Sequence, residues 1–134
     1  MTGPSRGKRT TATKSSSNPN YESFSPTGFI LDISETQLRK STINANKIVR
    51  SALSSIIDYS KITPGEKVVL PCLLKINGKE TLTKASFLIP KRRGETSPEP
   101  RMWPYHLNSH VEPRTRLWFY VKYGKLEVSD TGPR

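Results

Sequence analysis

Residues 68–89 read VVLPCLLKINGKETLTKASFLI, and this stretch decides the fold more than any other. Two apolar runs of strand length flank Asn77-Gly78, the dipeptide best suited to the two positive-φ positions of a type I′ turn. The expected hairpin pairs Val68–Ile76 with Lys79–Ile89. A two-residue turn sets Lys75 opposite Glu80, an opposite-charge pair that supports the register. In that register Val68, Leu70, Cys72 and Leu74 share a face with Ala85 and Phe87, which predicts the core side. Pro71 cannot donate a ladder hydrogen bond, so it predicts an edge position or a bulge on the first strand.

Towards the N-terminus, Pro64-Gly65 marks a turn, and before it residues 36–57 show helical periodicity. At about 100° per residue, Leu38, Ala45, Ile48, Val49, Ala52, Leu53 and Ile56 fall on one arc. Ser34 suits the N-cap, and Glu35 suits the positive end of the helix dipole. Phe29–Ile33 ahead of it reads as a short strand. Residues 1–25 read as a disordered basic tail, because polar Ser/Thr-rich composition cannot offset the entropy of ordering.

Towards the C-terminus, residues 90–113 hold Pro90, Pro98, Pro100, Pro104 and Pro113, which predicts a long irregular loop. Arg114–Tyr123 then reads as a strand, Gly124-Lys125 as a two-residue turn, and Leu126–Ser129 as the returning strand. Residues 131–134 read as a flexible terminus. The expected fold is α+β: one amphipathic helix packed on a mainly antiparallel sheet of about four or five strands, within a single domain spanning 26–130.

Charge carries the functional expectation. The chain has 22 Lys plus Arg against 11 Asp plus Glu, a net +11 and a pI near 10.0. Such an excess is the footprint of nucleic-acid binding, although an anionic membrane surface or an acidic protein would also match it. Residues 1–25 carry +3 and the remainder +8, so the tail alone does not account for the excess.

Three groups of residues are candidates for contact with a polyanion. In the strand near the C-terminus, Arg114, Arg116, Trp118, Tyr120 and Lys122 alternate with the apolar face formed by Thr115, Leu117, Phe119, Val121 and Tyr123. Cations flanking aromatic rings suit single strands, whose bases stack while Lys and Arg follow the phosphates. Packing of Trp118 and Tyr120 beneath the Pro-rich loop fits the same pattern. On the helix, Arg39, Lys40, Lys47 and Arg50 project opposite the apolar arc, and Thr36–Ile57 contains no acid. A solvated helix face ordinarily mixes signs. Lys91, Arg92 and Arg93, followed by Gly94, form a short basic run suited to gripping phosphates, or simply a soluble loop.

Other chemistries find less support. His106 and His110 are spaced for a metal only on a helix, which Pro104 opposes, and Cys72 is the only cysteine; no metal or other cofactor is expected. No Gly-x-Ser-x-Gly elbow or phosphate-cradling Gly-rich loop occurs, and the acids are scattered, so no catalytic residues are expected and the protein reads as non-enzymatic. Cys72 reads as a small buried hydrophobe. With no secretory signal and no run of about 18 apolar residues, an intracellular location is expected, in cytoplasm or nucleus; a virion protein meets the same constraints. The expected partner is nucleic acid, DNA or RNA, and a homo-oligomer is compatible. Two alternatives stand beside this reading. One is a coat- or matrix-type structural protein that packages nucleic acid with a basic arm and uses its apolar strand faces for subunit contacts. The other is an adaptor for an acidic protein that docks through Trp103, Tyr105 and the Pro-rich loop.

Overall fold

The computed structural model describes residues 20–91, 94 and 99–133. Residues 1–19 of the tail expected over 1–25, and the cations Arg92 and Arg93, lie outside the described residues. The hairpin around Asn77-Gly78 forms as expected: β4 (Lys67–Ile76) pairs antiparallel with β5 (Lys79–Leu88), and Lys75 is opposite Glu80. Asn77 and Gly78 both have positive φ, 54° and 73°, as the type I′ turn demands. Cys72, Leu74, Ala85 and Phe87 are fully buried, while Val68 and Leu70 pack on the core from its margin.

The rest of the fold corrects the α+β expectation. Among the described residues, eight strands form one curled, half-barrel sheet, accompanied by two short α-helices and two single 3-10 turns. The remaining strands are β1 (Tyr21–Ser25), β2 (Gly28–Asp32), β3 (Ile43–Asn44), β6 (Arg101–Pro104), β7 (Arg116–Lys122) and β8 (Lys125–Ser129). Their order across the sheet is β1-β2-β7-β8-β4-β5-β6-β3, antiparallel throughout except for the parallel pair β4–β8. Curling wraps the inner face around a core that includes Phe29, Leu31, Leu74, Phe87, Leu117, Phe119 and Val128. Phe29 and Phe119 stack there at 4.7 Å.

The single long helix is replaced by α1 (Glu35–Lys40) and α2 (Lys47–Ala52), with β3 between them. Ser34 caps α1 as expected, in a reciprocal capping box with Gln37. The helix stops because Ser41 turns left-handed (φ 52°) and its N–H closes back on the last turn. Next, Ile43 joins the sheet opposite Met102, and the Ala45 N–H donates to the Pro100 carbonyl at 2.7 Å. Asn46 then restarts the helix, its side chain accepting from the Val49 N–H at 3.0 Å. Weak helix formers, among them the two β-branched residues Thr42 and Ile43, dominate 41–46 and cannot resist these tertiary hydrogen bonds. All seven residues of the expected apolar arc still pack on the core.

Three more corrections follow from pairing that local composition does not reveal. β1 lies inside the segment assigned to the tail, held by β2 on one side. β6 lies inside the expected Pro-rich loop and pairs with β5, with Met102 and Trp103 buried. Pro104 is tolerated because β3 covers β6 only at residues 101 and 102, so no neighbour on that side requires its missing N–H. The last hairpin turns at Tyr123-Gly124 (φ 54° and 73°), not at Gly124-Lys125, and Tyr123 is therefore 92% exposed rather than core. Pro71 is at an edge only in part: β8 covers β4 from Cys72 to Lys75 and leaves 67–71 uncovered on that side.

Candidate polyanion-binding surface

The strand face with the strongest sequence signal is largely occupied by the protein itself. Tyr120 is 4% exposed and faces Glu127 on β8. Trp118 is half-buried, and Gly132 lies against its indole. Arg116 makes a two-pronged ion pair with Asp32, at 2.9 and 3.2 Å. Lys122 stands 5.8 Å from the Tyr123 ring. Arg114 precedes β7 in a left-handed conformation (φ 73°) and lines a cleft with Asp32 and Glu35, whose charges oppose an anion. The alternation of the strand was legible; the chain segments that cover its outer face were not.

Burial on this strand and at the sheet edge has a measurable consequence. Burial first, then the negative charge of Glu127, pushes the Tyr120 phenol up to about 12. Burial likewise raises Tyr21 to about 12, against smaller lowering by its hydrogen bonds with Gln37 and Asn44. Burial also raises Tyr59. A phenol whose folded pKa exceeds its unfolded value near 10 favours folding fully below pH 10 and loses that contribution as pH rises towards 12. Stability measured by thermal melting should therefore fall over that interval, in step with phenolate absorbance. Phenolate absorbance amounting to all five tyrosines near pH 10, without loss of structure, would contradict this burial. Cys72 is buried, and its thiol is likewise pushed up to about 12, by burial and then by Glu127.

The helix cations divide into two kinds. Arg50 is committed, donating to the Ala45 carbonyl at 2.7 Å and lying 3.7 Å from Glu99. Arg39, Lys40 and Lys47 are exposed and make no ion pair among the described residues. They do not share one helical stripe, because β3 separates α1 from α2. Lys91 leaves the hairpin exposed, its aliphatic stem lying over Gly65.

The fold adds a partner that sequence reasoning missed. Arg101 on β6 is opposite Asn44 on β3 and is exposed, without an ion pair among the described residues. It shares with Lys40 a cleft of about 340 Å³, whose other walls are Thr36, Gln37, Thr42 and Asn44. No acid lines it. The cleft lies where the two outer strands of the curled sheet approach each other. There the Tyr21 hydroxyl on β1 donates to the Asn44 carbonyl on β3 at 3.0 Å and accepts from Gln37 Nε2 at 3.2 Å. The only sequence clue was an arginine next to a proline within the supposed loop.

The remaining candidates are quickly placed. His110 Nδ1 lies 3.1 Å from the His106 carbonyl, and no group of three metal-ligating side chains occurs among the described residues. Trp103 is buried within β6 and Tyr105, just after the strand, is half-buried, so the Trp103 ring of the adaptor reading belongs to the sheet. Among the described residues no helix is long and apolar enough to cross a membrane. Comparison with known proteins finds no match: no family model, no curated protein and no solved structure resembles this chain significantly.

Proposed function

We propose that this protein binds nucleic acid without catalysing a reaction on it, chiefly through phosphate contacts. One observation carries the reading: Arg39, Lys40, Lys47 and Arg101, all within or close to the α1–β3–α2 segment and its β6 partner, are exposed and lack ion-pair partners among the described residues. A net charge of +11 supports it. An exposed cation whose counter-charge is absent gains most from a phosphate, because contact releases condensed counterions. Base stacking by Tyr120 has no place in the reading, since its ring is buried. DNA and RNA, as single or double strands, are the arms of the test.

Fluorescence anisotropy with labelled single- and double-stranded DNA and RNA is expected to show affinity falling steeply with salt. The log–log slope should approach about −0.7 per phosphate contacted on a single strand, or about −0.9 on a duplex. Affinity that is unchanged between 50 and 200 mM salt, on the order of the range where such contacts weaken most, would rule the reading out.

A second reading, a coat- or matrix-type assembly subunit, rests on an apolar outer patch where Leu82 is 71% and Val69 41% exposed. Light scattering decides it: a discrete larger assembly without nucleic acid supports the second reading, and a monomer removes it. An intracellular site of action belongs with the nucleic-acid reading; a virion belongs with the assembly reading.

A further inference from the structure

We infer that the cleft between α1 and the β3–β6 corner is a phosphate-binding subsite, with Lys40 and Arg101 as its charged walls and Thr36, Thr42 and Asn44 as its neutral donors. The inference deepens the polyanion reading and rests on it for one point, that the bound phosphate belongs to a nucleic-acid chain.

The lining of the cleft is suited to an anion with several acceptor oxygens. Arg101 supplies a planar fork and Lys40 a compact charge, so the two approach a phosphoryl group in complementary ways. The Thr36 and Thr42 hydroxyls and the Asn44 amide have no hydrogen-bond partner among the described residues, so they remain available as donors. A carboxylate would use two acceptors and leave part of this set idle; a phosphoryl group presents acceptors in several directions. A cation is excluded by the two positive walls.

The backbone that carries the cleft is also held in place before any ligand arrives. The Tyr21 phenol links α1 to β3 through Gln37 and the Asn44 carbonyl, and Gln37 is itself fixed by accepting from the Ser34 N–H at 2.9 Å. Preorganisation of this kind lowers the ordering cost of binding. One acid, Glu99, acts on the Tyr21 phenol beside the cleft, contributing to its upward shift. It is not part of the lining, and Arg50 neutralises it at 3.7 Å. The other described clefts differ: one contains Asp32 and Glu35, another Glu80 and Asp130, and a third is lined mainly by Val69, Leu70, Pro71 and Leu82.

The test uses the full chain, a labelled single-stranded oligonucleotide, and pyrophosphate as the free-phosphate probe. Lys40→Gln/Arg101→Gln removes the charged walls at exposed positions. Lys79→Gln/Lys84→Gln removes equal charge from exposed positions on β5. The cleft variant is expected to weaken oligonucleotide binding about tenfold or more and to reduce the salt slope by roughly 1.4, two single-strand contacts. The control should change both less. Pyrophosphate should shift the backbone NMR signals of Thr42, Asn44 and Arg101 in the unaltered protein and not in the cleft variant. Equal losses in the two variants, with no pyrophosphate shifts at the cleft, would overturn the subsite while leaving nucleic-acid binding intact. Pyrophosphate binding at the cleft with no oligonucleotide binding would keep the subsite and overturn the nucleic-acid reading. Melting curves of both variants confirm that the fold is retained.

Discussion

Phe119→Ala is expected to destabilise the protein by about 4 kcal/mol, the typical cost of truncating a fully buried aromatic side chain. Phe119 has no exposed surface and stacks on Phe29 at 4.7 Å with the rings 9° from parallel. Its strand, β7, lies between β2 and β8 and so joins the β1–β2 side of the sheet to the hairpin side. Removing the ring leaves a cavity beneath both neighbours, which backbone hydrogen bonding prevents from collapsing. A domain with a total stability of about 5–15 kcal/mol would lose a large share of it. Denaturant unfolding measures the change; Leu82→Ala, at a position 71% exposed, should change stability by no more than about 0.5 kcal/mol. Equal effects of the two substitutions would contradict the placement of the core.

Lys75→Met is expected to cost about 3 kcal/mol, by a different mechanism. Lys75 Nζ lies 3.2 Å from Glu127 Oε1, and the Glu127 side chain is only 7% exposed. Without the ammonium, that carboxylate remains buried and uncompensated beside the Tyr120 ring, and such a loss costs about 3–5 kcal/mol. The lower end applies because the Lys75 side chain keeps 23% exposure, so solvent screens the pair in part. The double variant Lys75→Met/Glu127→Gln should recover most of the loss, because it removes the orphaned charge. A double variant no more stable than Lys75→Met alone would show that packing of the lysine stem, rather than charge, was responsible. The pair also links β4 to β8, the one parallel contact in the sheet. The sequence pattern had matched Lys75 with Glu80 across the hairpin; the register is as expected, but Lys75 forms its ion pair with Glu127.

Legibility followed the distance over which each feature is determined. The Asn77-Gly78 turn, the hairpin register and the Ser34 cap depend on residues next to one another in the chain, and all three are as read. The apolar positions between Leu38 and Ile56 were also correctly identified, since burial follows side-chain chemistry whatever the backbone does. Their geometry was not legible, because the helix is interrupted by hydrogen bonds to residues 100–102, more than fifty positions away. The same holds for β1 and β6, whose composition is unfavourable for strands until β2 and β5 supply partners.

For the candidate site the division is similar. Sequence alone determined the basic excess, the acid-free stretch from Thr36 to Ile57 and the cations within it, because charge is a property of composition. Only the tertiary structure decided which cations are available. It joined Arg116 to Asp32, placed Arg50 near Glu99, and buried Tyr120 against Glu127. It also brought Arg101 to Lys40 by pairing β6 with β3, beside the place where the curl of the sheet brings its outer strands together at Tyr21 and Asn44. That curl is a sum of twist and pairing over eight strands, and no local window of sequence contains it.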